Sequence, residues 1–251
     1  MTRFRVGMGV TTGGPGAGEG TLTATAWVFD LPGCRTIGGS VEESRSLLPV
    51  AIAEYLAWRD GRADGPFEFD VVEELRRNDE FCFEDDKRPL SDEDLNQGIQ
   101  GLEVAFEGFS RLVQPLPDLV LDWKPPATSV RIDAIYSDVR TIREMAEHVA
   151  AAMTFHIRGV GRAVERVPPP ADPKDLRQAY EVAAERLRRL DAEERSGKAY
   201  RRETPRGEAE WSARKAIRRM INHMRFHTGE AANRLTWPTL GVPVVLQGPR
   251  E

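Results

Sequence analysis

The stretch "EWSARKAIRRMINHMRFHTGEAANRL", residues 210 to 235, contains two of the four histidines in this 251-residue chain. His223 and His227 are four residues apart, and on an α-helix this spacing places both imidazoles on one face, one turn apart. The apolar neighbours Met220 and Met224 are expected to point inward beside them. We therefore predict a helix over about residues 208 to 235 that carries an H-x-x-x-H pair.

Three more helices are predicted before this one, because apolar residues recur at intervals of three and four from about residue 91. Ser91 is expected to cap the first helix, with acidic residues in its first turn. The second helix spans about residues 137 to 161, and Asp172 is expected to cap the third. Four amphipathic helices of about twenty residues each predict an all-α four-helix bundle over residues 91–237, followed by a tail over 238–251.

The first half of the chain has a different pattern, with short period-2 runs that predict strands around one helix. The runs are "RFRVGMGV", "LTATAWVFD" and "FEFDVVEEL", and the second is the most apolar, so we expect it to lie centrally in the sheet. Ser40 and Glu43 fit a capping box at the start of the helix. The sequence thus predicts an α+β chain, with a small β-β-α-β domain over residues 1–77, an acidic boundary loop over 78–92 and then the helical bundle.

A third histidine, His148, lies in the middle of the second predicted helix, beside the apolar residues Met145, Ala152 and Phe155. Buried imidazoles need partners for their ring nitrogens, and three that converge from two helices can share one divalent ion. An H-x-x-x-H pair alone is a weak pattern, however, and histidines that are solvated or separately hydrogen-bonded are common. Both interpretations stay open on spacing alone. His156 shares the face of His148 but lies about two turns farther along.

Few other chemical groups accompany the histidines. Glu144 precedes the histidine of the second helix by one turn, and Glu230 follows the H-x-x-x-H pair. Either could orient an imidazole, act as a base or be a surface carboxylate. Arg218 and Arg225, on the last helix, could hold an anionic thiol or substrate, or be solvated.

The second half resembles the DinB-like family of metal-binding four-helix bundles, which includes thiol-dependent transferases and maleylpyruvate isomerases. The resemblance covers about residues 91–237 and rests on "LVLDWKPP", on "TIREMAEHVA" and on the H-x-x-x-H helix. It implies a divalent metal, zinc or nickel, held by His148, His223 and His227, with no equivalent role for His156. It also implies a low-molecular-weight thiol that binds the metal and attacks an electrophile, and hence thiol-dependent transferase or isomerase activity.

The first half is similar to HicB-like antitoxin domains through "AWVFDLPGCRTIGGSVEESRSLLPVAIAEYLAW". The similarity implies the same β-β-α-β fold over residues 1–77. HicB antitoxins usually add a DNA-binding segment after this domain, and here a helical bundle takes its place. A non-catalytic metal- or ligand-binding regulatory module of antitoxin-like type is therefore the alternative to an enzyme. Cys34, in the Leu-Pro-Gly-Cys turn, is expected to be a buried structural cysteine rather than a reactive one.

Composition limits the classes of partner. The formal net charge is −5, and residues 66–107 carry fourteen acidic and four basic side chains, which repel phosphate backbones, so we expect no nucleic acid. No apolar run approaches the ~20 residues that span a bilayer, and the N-terminus lacks a signal-peptide h-region, so we expect no membrane. Two cysteines do not form a disulfide framework. We expect a cytoplasmic protein that takes a small thiol and an electrophile, with a homodimer left open.

Overall fold

The computed structural model describes residues 2–12, 22–61, 65–76, 81–123, 141–161, 172, 175–204 and 207–239. Its N-terminal half contains a four-stranded sheet in the order β3-β2-β1-β4. The strands are β1 (Thr2–Thr12), β2 (Leu22–Val28), β3 (Arg35–Gly38) and β4 (Phe67–Arg76). β1 pairs with β4 in parallel, and the other neighbouring strands are antiparallel. β2, which contains "LTATAWV", lies in the interior of the sheet, as the sequence predicts.

Both faces of β1 are covered. The buried residues of one face alternate along the strand and are Val6, Met8 and Val10. They share a hydrophobic cluster with the helix α2 (Leu48–Asp60). On the other face, a Cβ added to Gly7 would lie 2.9 Å from the ring of Phe83, and a Cβ added to Gly9 would lie 2.4 Å from the ring of Phe81. The acidic segment after β4 therefore packs its aromatic rings directly against the sheet.

The helix predicted after Ser40 is interrupted. α1 (Val41–Ser46) begins as predicted, with Ser40 Oγ accepting a hydrogen bond from Glu43 N at 3.0 Å, but the Glu43 carboxylate accepts from Gly39 N instead of closing the box. A break follows before α2, where Pro49 in the first turn has no N–H to donate. β3 was also not predicted, because four residues give too short a period-2 signal. The β-β-α-β order is thus corrected to β-β-β-α-α-β.

Among the described residues of the second half there are four long helices and two short ones. In chain order they are α3 (Asp92–Val113), α4 (Asp118–Leu121), α5 (Ile142–Arg158), α6 (Arg177–Arg188), α7 (Ala192–Arg195) and α8 (Ala213–Thr239). Both α3 and α5 contact α8, and both contact α6, so each long helix packs against two others. Their apolar faces form one hydrophobic cluster.

Helix starts differ from the predictions at two places. Ser91 caps α3 as predicted, in a capping box with Asp94. α6 begins only after Leu176, so Asp172 is not its cap. Residues 207–211 form β6 (Gly207–Trp211), which pairs with β5 (Tyr200–Thr204), so the second half is not all-α and its last helix begins later than residue 208. The predicted start of the second helix, near residue 137, lies outside the described residues.

The two halves of the chain meet along α8. Buried Arg218 binds Asp86 through Nε–Oδ1 and Nη2–Oδ2 contacts of 2.6 and 2.7 Å. One and two turns later, Asn222 Nδ2 and Arg225 Nη1 each donate to the carbonyl oxygen of Gly33 at 3.3 Å. These contacts fix one face of α8 against the N-terminal half.

Two further expectations concern the chain as a whole. None of the described helices is both long and apolar enough to cross a membrane. The domain limits at residues 77 and 91 stay predictions. Each half has its own hydrophobic cluster, and Trp58 packs against both of them.

Candidate metal centre

Three histidines meet where α5 packs against α8. His148 lies on α5, and His223 and His227 lie one turn apart on α8. Each offers one ring nitrogen that lies within 4.8 Å of those of the other two. The closest pair is His223 Nε2 and His148 Nε2, at 3.0 Å. The structure therefore brings together the three histidines that the sequence singles out.

His227 has one ring nitrogen engaged and the other without a partner. Its Nδ1 lies 2.6 Å from Oε2 of Glu230, three residues later on the same helix. Its side chain is 3% exposed, and Nε2 is buried with no hydrogen-bond partner among the described residues. A carboxylate on Nδ1 holds the proton on that nitrogen and leaves the Nε2 lone pair available. Metal-ligating histidines are commonly oriented in this way.

Burial lowers the pKa of His223 well below its ordinary value, and the neighbouring His227, His156, His148 and Arg219 act in the same direction. A neutral imidazole keeps the lone pair that a metal ion requires, whereas a protonated imidazole has none to give. His223 is therefore held in the protonation state that suits a metal ligand.

A family model described as the DinB superfamily matches residues 102–231, which is more than half of the chain. The chain belongs to the DinB superfamily. The matched residues include all three histidines and Glu230, and DinB proteins generally bind a divalent metal ion. Comparisons with curated proteins and with solved structures found no match. The HicB-like similarity of the first half stays without support, because the DinB match begins at residue 102.

The fourth histidine of this DinB chain lies beside the group of three. His156 is 4% exposed, and its ring centre lies 5.5 Å from that of His223 and 5.3 Å from that of Trp211. It is not part of the group whose donor nitrogens lie within 4.8 Å. Sequence reasoning missed Trp211, because the hairpin strand that carries it was not predicted. The ring of His156 thus contacts both Trp211 and His223 of the DinB histidine group.

The two glutamates considered with the histidines have different positions. Glu230 contacts the Nδ1 atom of a candidate ligand, as described above. Glu144 Oε2 accepts a hydrogen bond from Thr141 N at 2.7 Å and so completes the capping box of α5. Glu230 is therefore the carboxylate that can orient an imidazole in this DinB chain.

Arg218 and Arg225, the two arginines of α8 considered in the sequence analysis, face the N-terminal half. Arg218 pairs with Asp86, and Arg225 contacts the N-terminal half, so neither is placed to hold a ligand at the histidines. A further arginine of α8, Arg234, was not considered in the sequence analysis. It lies seven residues, or about two helical turns, after His227, and this spacing predicts that both lie on the same face of the helix.

Proposed function

We propose that His148, His223 and His227 bind one divalent metal ion. The observation that carries the proposal is the Nε2 atom of His227, which is buried without a hydrogen-bond partner among the described residues and has two further imidazoles beside it. A buried polar atom without a partner destabilises the fold, and an ion shared by three ring nitrogens would remove that cost. Membership of the DinB superfamily supports the same proposal.

The spacing of the nitrogens fits such an ion. In a tetrahedral zinc site with zinc–nitrogen distances of about 2.0–2.1 Å, the donor atoms lie roughly 3.3 Å apart. The His223 and His148 Nε2 atoms are 3.0 Å apart, and the whole group lies within 4.8 Å. Small side-chain rotations would therefore bring all three nitrogens to one ion.

Zinc or nickel is the proposed metal, because imidazole nitrogens suit both. Three neutral histidines leave at least one coordination position for another group. In the part of the chain that the structure describes, this group of ligand atoms contains no cysteine and no carboxylate. Zinc sites with three protein ligands and an open position are characteristically catalytic, whereas structural sites are closed by a fourth ligand.

The proposed activity is thiol-dependent transfer or isomerisation, with a low-molecular-weight thiol and an electrophile as small-molecule partners. A bound divalent ion would keep the thiol sulfur deprotonated near neutral pH. The chain would contribute the fixed positions of the three imidazoles, with Glu230 orienting His227. His148 and His223 keep some exposure to solvent, whereas His227 is buried, so a small molecule would approach from the side of the first two.

A non-catalytic metal- or ligand-binding regulatory module is the second candidate function. One observation favours it: the helix that carries two of the histidines is attached to the N-terminal half through Arg218 and Arg225. The two parts would be a HicB-like domain over residues 1–77 and a four-helix bundle over residues 91–237. The separate hydrophobic clusters of the two halves support this division.

The decisive experiment is metal analysis of the purified protein by plasma mass spectrometry. Wild-type protein should retain about one zinc or nickel ion per chain, and His227→Ala should lose it. Gly229→Ala is the matched control, because it lies on the same helix and its added Cβ meets nothing within 4 Å. Equal metal content in wild type and His227→Ala would overturn the proposed site.

Activity is tested separately, by thiol consumption with a panel of electrophiles. An enzyme should consume thiol faster with wild type than with His227→Ala, and as fast with Gly229→Ala. Equal rates in all three proteins, with metal bound only by wild type and the control, would favour the regulatory module.

A further inference from the structure

Arg234 lies on the same face of α8 as the histidines, beyond His227. Seven residues separate the two, which is about two turns and roughly 10 Å along the helix axis. Helical side chains tilt toward the N-terminus, so the guanidinium extends back toward the turn of Glu230. Its Nη1 atom is buried and has no hydrogen-bond partner in the part of the chain that the structure describes. Arg234 lies close enough to Glu230 and Glu144 for their charges to act on it, and Glu230 in turn contacts His227.

The two carboxylates that act on the charge of Arg234 both have other partners. Glu230 Oε2 contacts His227 Nδ1 at 2.6 Å, and Glu144 Oε2 accepts from Thr141 N at 2.7 Å. Burial lowers the pKa of Arg234, while Glu230 and Glu144 act in the opposite direction. A guanidinium stays protonated under such a shift. Arg234 is thus a partly desolvated cation whose Nη1 atom has no hydrogen-bond partner among the described residues.

We propose that Arg234 binds a carboxylate of the small molecule that enters the histidine site. This inference rests on the proposed function, since a divalent ion at the histidines would hold the thiolate and leave Arg234 to pair with the carboxylate. A guanidinium can also bind phosphate. The two glutamates, however, repel a doubly charged phosphate more strongly than a singly charged carboxylate.

The separation of the groups defines the substrate class more closely. Arg234 lies seven residues beyond His227 on α8, whereas the ring of His156 contacts His223, one turn before His227. A thiol whose sulfur enters the histidine group would reach Arg234 if its carboxylate extends along α8 toward the turn of Glu230. The structure thus indicates a small carboxylate-bearing thiol in place of a neutral one.

The test compares two thiols of the same size on cobalt-loaded protein, because thiolate binding to cobalt gives a charge-transfer absorption. The probes are 3-mercaptopropionate and its neutral amide, 3-mercaptopropionamide. Wild type should bind the acid about ten- to a hundredfold more tightly than the amide, as expected for a charge-assisted hydrogen bond. Arg234→Gln should lose this preference and still bind the amide. Arg234→Lys should keep part of it, and Arg111→Gln, at an exposed arginine of α3, should keep all of it.

Each outcome decides between the inference and the function on which it rests. Equal affinity of wild type for the two thiols, or equal weakening of both by Arg234→Gln, would overturn the carboxylate site alone. A protein that holds no ion would overturn the proposed function and the inference with it. If the protein holds the ion but binds neither thiol, the affinities for propionate and propionamide are compared instead. Unchanged propionate affinity in Arg234→Gln would then reject the carboxylate site.

Discussion

Replacing Asp86 by alanine removes one partner of the buried ion pair that joins the two halves of the chain. The side chains of Asp86 and Arg218 are 2% and 7% exposed, and they make two contacts of 2.6 and 2.7 Å. Without the carboxylate, the guanidinium stays buried over the ring of Trp27, with the carbonyl oxygen of Phe81 as its acceptor. The N–H of Phe83, which donates a hydrogen bond to Oδ2 of Asp86 at 2.8 Å, also loses its acceptor.

The expected loss of stability is large because a buried charge is left without its counterion. Removing one member of a buried pair costs about 3–5 kcal/mol, and an orphaned amide adds about 1–3 kcal/mol. We therefore expect the free energy of unfolding of Asp86→Ala to fall by at least about 3 kcal/mol. Urea denaturation followed by circular dichroism would measure the change.

A double variant tests whether the pair itself is responsible. Asp86→Ala combined with Arg218→Met removes both charges, and its loss should be smaller than the sum of the two single losses by about 2 kcal/mol or more. Glu107→Ala is the control, because it removes an exposed pair with Arg111 and should cost less than about 0.5 kcal/mol. A loss below about 1 kcal/mol for Asp86→Ala, or strict additivity of the single variants, would refute the reasoning.

Three further predictions concern the site and the packing around it. Glu230→Gln should lower metal affinity about 10–100-fold in a chelator competition, because an amide holds the imidazole proton less strongly; unchanged affinity would argue against its orienting role. Gly98→Ala should lower the unfolding free energy by about 1–3 kcal/mol, since the new Cβ would lie 2.7 Å from Ile217, whereas Gly108→Ala, with open space around it, should raise it by about 0.5–1 kcal/mol. Burial raises the pKa of Cys34 to about 12, so iodoacetamide at pH 8 should label it only after denaturation, and rapid labelling of the native protein would count against a structural role.

Local signals in the sequence were sufficient for α3 and for the H-x-x-x-H pair. A helix cap acts within four residues, so Ser91 and the acidic residues after it predicted the start of α3, where the capping box is observed. The spacing of four between His223 and His227 fixes them on one face of any helix. That His148 faces them from another helix depended on a family resemblance, because spacing within one helix does not determine which helices pack together.

The remaining features depend on contacts that the sequence does not signal locally. "YRRET" and "GEAEW" contain few apolar residues, so their pairing as β5 and β6 left no period-2 pattern; the buried side chains of Ala209 and Trp211 anchor the second strand. Asp86 and Arg218 are 132 residues apart, and charged residues in a sequence are most often solvated. Their pairing follows only from the way α8 meets the segment after the sheet.

The two faces of α8 link these distant features to the candidate site. One stripe contacts the N-terminal half and consists of Arg218, Asn222 and Arg225. The other carries the candidate site and consists of His223, His227, Glu230 and Arg234. At 100° per residue the centres of the two stripes lie about 140° apart around the axis, so the stripes do not overlap. A helix moves as a rigid element, so a rotation that opens the histidine group would also strain the buried pair with Asp86. The contacts of the N-terminal half with α8 would therefore limit how far such a rotation can go.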